Sequence, residues 1–193
     1  MKKISTFFKK DPNDLGRAID EVDPKNKWVL TRGIPTIKRD GAACMVKDNV
    51  LYKRYDARLW RRKRGKVIRL TPQIPAGAIP CQEANEITGH WPHWVKCNRE
   101  NTEDKYHFEA YDKQQPLLDG TYELCGPKIQ GNPEKLNEHI LLRHGEIIKQ
   151  KIDLSFEGIK SFLSSTDIEG IVFWDEEGSR MCKIRKSDFG INR

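Results

Sequence analysis

Apolar residues in this chain fall into short alternating or continuous runs, divided by turn-forming stretches. Strand patterns cover residues 27–30 (Lys-Trp-Val-Leu), 42–46, 50–55 and 66–70, with Lys47-Asp48-Asn49 as a hairpin turn between the second and third. Residues 71–105 hold Pro72, Pro75, Pro80, Pro92 and two glycines, which predicts a loop insertion over one face. Further strands are predicted at 106–111 and 121–124. Asn132-Pro133-Glu134 reads as a helix start, and Leu136, Ile140 and Leu141 follow at helical spacing, so a helix is predicted over 132–144. A second helix is predicted over 155–164, then a hairpin of 168–174 and 181–185 turning at 175–178. Residues 1–26 carry two Asp-Pro pairs and read as an N-terminal arm or helix leading into a domain over 27–193. The expected class is α+β, with antiparallel sheets flanked by helices.

Composition narrows the partners. The 193 residues suffice for one domain with its own core, and they carry a net charge of +7 with 33% charged residues. A basic balance of that size points to a polyanionic partner, or to solubility alone. The five cysteines (44, 81, 97, 125 and 182) are odd in number and scattered, which suggests no disulfide framework and a reducing cytoplasm. No run of 18 apolar residues exists and the apolar part of MKKISTFFKK is too short for a signal peptide, so no membrane partner is expected.

Four stretches carry candidate chemistry. Lys38-Arg39-Asp40-Gly41 sets a lysine at the edge of a tight turn. Such a lysine is either a solvated charge or, when burial or neighbouring cations favour its neutral form, a nucleophile. In Tyr122-Glu123-Leu124-Cys125-Gly126-Pro127 the glutamate faces either solvent or a pocket. Glu169 begins the apolar strand Gly170-Ile171-Val172-Phe173-Trp174 and by period two shares a face with Ile171 and Phe173. If buried there it needs a cation or a metal, and otherwise it ends the strand in solvent. Lys183 and Arg185 share one face of their strand, an arrangement that suits phosphate or a solvated edge strand.

In this order, K-x-D-G, E-x-x-G, E-G-I-V and K-x-R, the four resemble the covalent nucleotidyltransferase superfamily of ATP-dependent DNA and RNA ligases and mRNA capping enzymes, from about Gly33 to Gly190. The stretches Tyr122–Glu134 and Gly89–Val95 are similar to the small 5′-to-3′ RNA ligase family shared by vertebrates, some bacteria and phages.

The resemblance implies an adenylation domain and an AMP-forming RNA ligase that joins RNA ends bearing 3′-OH and 5′-phosphate. Lys38 would attack the α-phosphate of ATP, and Lys183 and Arg185 would hold the phosphate oxygens. The family has lysine at both of those positions, so Arg185 is a departure and Lys186 is a candidate to share its role. Glu169 would bind metal or steer Lys38, Glu123 would contact ribose or metal, and Mg²⁺ or Mn²⁺ would be the ion. Asp40 and Gly41 shape the turn, Ile37 and Phe173 border the nucleotide, and either Lys53 or Arg54 contacts it. Most relatives continue into an OB-fold domain after the last motif, whereas seven residues follow Lys186 here, so no C-terminal OB domain is expected. The resemblance also implies RNA repair in the cytoplasm, or in a host's cytoplasm if the chain is phage-encoded, with no obligate protein partner.

Arg58, Arg61, Arg62, Lys63, Arg64 and Lys66 crowd into nine residues beside Trp60, a composition suited to RNA phosphates and base stacking, or to a solvated face. Cys81, His90, His93 and Cys97 are zinc-ligand types, at a spacing that fits no common zinc module. Alternatives to the RNA ligase are a minimal DNA ligase sealing nicks, a GTP-using capping activity, and an RNA-binding module without catalysis.

Overall fold

A computed structural model describes residues 4–192. It is an α+β structure with mostly antiparallel sheets and three α-helices among the described residues. In chain order the strands are β1 (Ser5–Thr6), β2 (Phe8–Lys10), β3 (Ala18–Val22), β4 (Ile34–Lys38), β5 (Ala42–Lys47), β6 (Val50–Arg58), β7 (Trp60–Lys63), β8 (Lys66–Arg69), β9 (Ile79–Pro80), β10 (His90–Lys96), β11 (Gly120–Cys125), β12 (Ile140–Arg143), β13 (Gly170–Trp174) and β14 (Met181–Arg185). The helices are α1 (Val29–Arg32), α2 (Lys105–Lys113) and α3 (Phe156–Ser165). No helix is long and apolar enough to cross a membrane.

The chain divides into two compact units. The first, Gly41–Arg143, is built on a six-stranded sheet in the order β12-β11-β5-β6-β10-β9. One face of it packs under α2, where Cys44, Val46, Leu51, Ala110, Tyr111, Tyr122, Leu124 and Leu141 form the core. The second unit, Ile4–Asp40 with His144–Arg193, is built on the sheet β1-β14-β13-β4, in which β1 runs parallel to β14 and the other pairs are antiparallel. Its core gathers Phe7, Phe8, Trp28, Val29, Ile171, Phe173, Cys182 and Ile184 with Ile159 and Leu163 of α3. Helix α3 starts where Ser155 Oγ accepts the Gly158 amide at 3.0 Å, and its buried positions 159 and 163 lie one turn apart.

Several predicted elements differ. The described part of the arm, residues 4–26, forms β1–β3 and no α-helix; its first three residues lie outside the described ones. Residues 27–30, predicted as a strand, lead into α1, because Asp23 caps a 3-10 turn over Pro24–Asn26 and the chain continues helically. Residues 106–111, also predicted as a strand, lie in α2, which follows a 3-10 turn capped by Asn101. The helix predicted over 132–144 is instead a series of turns ending in β12: Gln130, Asn132 and Lys135 have φ of 51°, 59° and 54°, which a right-handed helix excludes. The predicted loop at 71–105 contains β10, paired along its whole length with β6. Pro92 is tolerated there because its carbonyl accepts from Cys81 on the β9 side, so its missing N–H falls on that side and no bond to β6 is lost.

Candidate active site

The register of the second unit's sheet sorts its residues into two faces. Ile37, Ile171 and Ile184 lie in one cross-strand row, and Pro35, Phe173 and Cys182 in another; both rows belong to the face whose Ile171, Phe173, Cys182 and Ile184 are buried. The opposite face carries the rows Lys38, Gly170, Arg185 and Thr36, Val172, Lys183. Alternation along antiparallel strands therefore sets Lys38, Lys183 and Arg185 together on one face. Gly170 sits between Lys38 and Arg185. A Cβ there would come 2.2 Å from the Ile184 carbonyl oxygen, so close packing of β13 on β14 requires glycine.

Polar contacts fix this face. Thr36 Oγ1 donates to the Val172 carbonyl at 2.7 Å and accepts from Trp174 Nε1 at 3.0 Å, which pins β4 to β13. Lys38 Nζ donates to the Glu169 carboxylate and to the Arg39 carbonyl at 3.2 Å. Burial pushes the Glu169 carboxyl above its ordinary range; Lys38 opposes that shift and Asp40 adds to it. Glu169 stands just before the strand, so it turns to Lys38 instead of sharing the buried face of Ile171 and Phe173 as period two predicted.

The Lys183 ammonium makes no hydrogen bond or ion pair among the described residues. Burial lowers its pKa from 10.5 to about 8, helped by Arg185 and Lys38. Arg185 is oriented by Asp188, whose carboxylate takes the Arg185 amide at 2.8 Å, its Nη2 at 3.1 Å and Lys10 Nζ at 2.5 Å. Arg185 Nε is buried and has no hydrogen-bond partner. The face thus presents a half-buried cation without a counter-ion and a buried donor that a ligand or water could satisfy.

Other expected members stand elsewhere. Lys186 donates its ammonium to the Thr166 carbonyl at 2.5 Å and is 7% exposed, so the second cation of the face is Arg185. Phe173 is fully buried and packs against Phe7, with ring centres 5.3 Å apart; its side chain faces the core, as does the Ile37 row. Asp188, 1% exposed, was not singled out from sequence, although its position three residues after Arg185 gives the capping-box spacing seen here. Lys10, from the opposite end of the sequence, left no such signal.

Gly41, Lys53, Arg54 and Glu123 belong to the first unit. A Cβ on Gly41 would meet the Leu124 carbonyl oxygen at 2.2 Å, so this position admits only glycine. Glu123 is 8% exposed and lies opposite Ala43 on the sheet face away from the core, the face of Met45 and Tyr52 and hence of Arg54. Lys53 points the other way, to the core face, and binds Asp104 at 2.6 Å. Burial pulls the Lys53 ammonium down, but the Asp104 carboxylate outweighs it and leaves the pKa raised. Alternation thus favours Arg54 over Lys53 as the basic residue beside Glu123.

His90 and His93 fall on opposite faces of β10: His90 is in the row of Arg58, binding Asp56 at 2.5 Å and Arg58 at 2.6 Å, and His93 in the row of Tyr55. No group of three metal-ligating side chains is gathered among the described residues. The basic run forms the hairpin β7–β8, with Arg61, Arg62, Lys63, Arg64 and Lys66 exposed. Trp60 is not free to stack on a base: its Nε1 donates to the Glu86 carbonyl at 2.9 Å and its ring rests against Gly89.

Compared with models of protein families and with curated proteins, the chain matches none. The functional reading therefore rests on the chemistry of the residues.

Proposed function

We propose that this chain is an ATP-dependent RNA ligase acting through a covalent Lys38–AMP intermediate. The observation that carries the reading is the face of Lys38, Lys183 and Arg185, where the ammonium of the half-buried Lys183 and the buried guanidinium Nε of Arg185 lack protein partners next to a lysine held by a glutamate. That set fits a phosphate: two positive groups for its oxygens, a nucleophile, and a proton acceptor.

Each residue then has a task. Glu169, its pKa raised by burial, takes a proton from the Lys38 ammonium. The neutral amine attacks the α-phosphorus of ATP; the P–N bond forms as the bond to the β-phosphate oxygen breaks and pyrophosphate leaves with the electron pair. Lys183 and Arg185 neutralise charge on the α-phosphate oxygens, and Asp188 with Lys10 holds the guanidinium in place. In the second step an RNA 5′-phosphate oxygen attacks the same phosphorus and the P–N bond breaks, returning a proton to Lys38. In the third a 3′-hydroxyl attacks the activated 5′-phosphate, its proton passes to solvent, and AMP leaves with the electron pair of the broken P–O bond. Glu169 is committed to Lys38, so Mg²⁺ would be held mainly by the triphosphate oxygens and water, and would supply further charge neutralisation there.

The test is intact-protein mass after incubation with ATP and Mg²⁺, beside Lys38→Ala. The expected result is a gain of one adenylate that pyrophosphate reverses and the variant lacks. Addition from GTP alone would support the capping-type reading. The absence of any adduct, with Mn²⁺ also tried, would sink the covalent chemistry.

A further inference from the structure

We infer that the β7–β8 hairpin is a clamp for the phosphate backbone of single-stranded RNA, one that reads no base. This deepens the ligase reading and rests on it for the identity of the strand, while the clamp itself rests on the hairpin. Its register places Arg61, Lys63, Lys66 and Ile68 on one face and Trp60, Arg62, Val67 and Arg69 on the other, so both faces are cationic. Arg64 and Gly65 turn the tip, with φ of 50° and 76°, the mirror-image turn that suits the twist of a two-stranded ribbon.

The five cations of the tip, Arg61, Arg62, Lys63, Arg64 and Lys66, make no ion pair among the described residues, and no acidic residue occurs from Ala57 to Gln82. The base is fixed, by contrast. Leu70 donates to Leu59 at 2.8 Å, Leu59 to Gly89 at 2.9 Å and Arg69 to Glu86 at 3.0 Å. An isolated hairpin is marginal in water, so this root is what holds the strands together and projects the charges.

The chemistry of the occupant follows from what the ribbon offers. The exposed Val67 (54%) and Ile68 (36%) point to opposite faces, so neither face presents the continuous apolar surface that a membrane or a protein interface would bury. Five unpaired cations without an apolar face suit a polyanion. Trp60, occupied by Glu86 and Gly89, offers no stacking platform, so contact is with phosphates and independent of sequence.

The test uses the full chain and fluorescence anisotropy with labelled single strands of about 20 nucleotides across a salt series. The wild type is compared with a variant carrying Arg61→Ala, Arg62→Ala, Lys63→Ala, Arg64→Ala and Lys66→Ala. Each phosphate neutralised contributes about 0.7 to the slope of log affinity against log salt, so the five together account for about 3 to 4 units of slope. The variant should lose that slope and at least about a hundredfold in affinity at 0.1 M salt, while poly-U and poly-A bind the wild type alike. Its thermal midpoint should change little, since among the described residues the five side chains make no hydrogen bond or ion pair and Arg62 alone rests over a ring, that of Trp60 at 6.0 Å. Should it fail to fold, Lys63→Gln with Arg64→Gln at the tip should still cost about 1.4 units of slope. Unchanged affinity and slope would overturn the clamp, as would a wild type that binds DNA but not RNA of the same sequence. Because binding alone is read, a chain that never forms the adenylate still passes or fails this test.

Discussion

Replacing Lys183 by methionine should stabilise the protein while abolishing adenylate formation. The Lys183 ammonium stands in the second unit with no counter-ion bonded to it, beside Lys38 and Arg185, and its pKa falls from 10.5 to about 8. A folded-state pKa below the unfolded value means that the folded chain binds this proton less tightly. The charged form is thus a penalty, fully present below pH 8 and relieved as pH rises from 8 towards 10.5. At 1.36 kcal/mol per pKa unit the penalty is about 3 kcal/mol at pH 7 and about half that at pH 9.5. Methionine keeps the aliphatic length and removes the charge. Urea denaturation of Lys183→Met against wild type should show a gain of up to about 3 kcal/mol at pH 7 that shrinks by pH 9.5, with no adduct from ATP. A variant less stable than wild type at pH 7 would refute the argument, for it would mean that the ammonium is satisfied in the free protein. A bound triphosphate supplies the missing counter-charge, so ATP affinity in the wild type should weaken as pH rises through about 8.

Gly170→Ala should destabilise the second unit by roughly 2 kcal/mol or more, read as a lower urea midpoint, because the new methyl meets the Ile184 carbonyl oxygen at 2.2 Å on a backbone that cannot give way. An unchanged midpoint would show that β13 and β14 can part without cost. Lys53→Met and Arg54→Met should separate cleanly. The first strands Asp104, 1% exposed, without its cation and costs about 3 kcal/mol of stability, whereas the second removes a side chain from the sheet face away from the core and costs little. The reverse pattern, read by urea denaturation, would mean that Arg54 and not Lys53 faces the core of this sheet.

What could be read from the sequence was whatever depends on neighbours in the chain. The hairpin of β5 and β6 around Asp48-Asn49, the final hairpin of β13 and β14 and helix α3 follow from local period and turn chemistry, and all three stand where the patterns put them. The pairing of Lys183 with Arg185 on one face is likewise a consequence of period two. Period failed where a competing local signal was stronger. Tyr106 to Tyr111 alternates like a strand, yet the Asn101 cap starts a helical run before it; Leu136, Ile140 and Leu141 space like a helix, yet the chain at Gln130, Asn132 and Lys135 turns left-handed. Strand β4, which carries Lys38, has too little apolar pattern of its own and exists because β13 offers it a partner. Long-range contacts such as Lys10 with Asp188 leave no trace in a single sequence.

The second unit is discontinuous along the chain, and this orders events during synthesis. Lys38 emerges early, but the strand that pairs with it begins at Gly170 and the cations beside it lie on β14. For the time needed to translate roughly 130 further residues, on the order of 10 seconds at ribosomal rates, β4 lacks β13, and residues 146–148, which also bond to its backbone, come only a little sooner. The Gly41–Arg143 unit is contiguous and can form during that interval. Lys38 therefore waits for Glu169 and for the strand that carries Lys183 and Arg185. A ribosome-bound chain stalled before residue 170 would hold Lys38 without the strands that complete its face, which are made only after the whole Gly41–Arg143 unit.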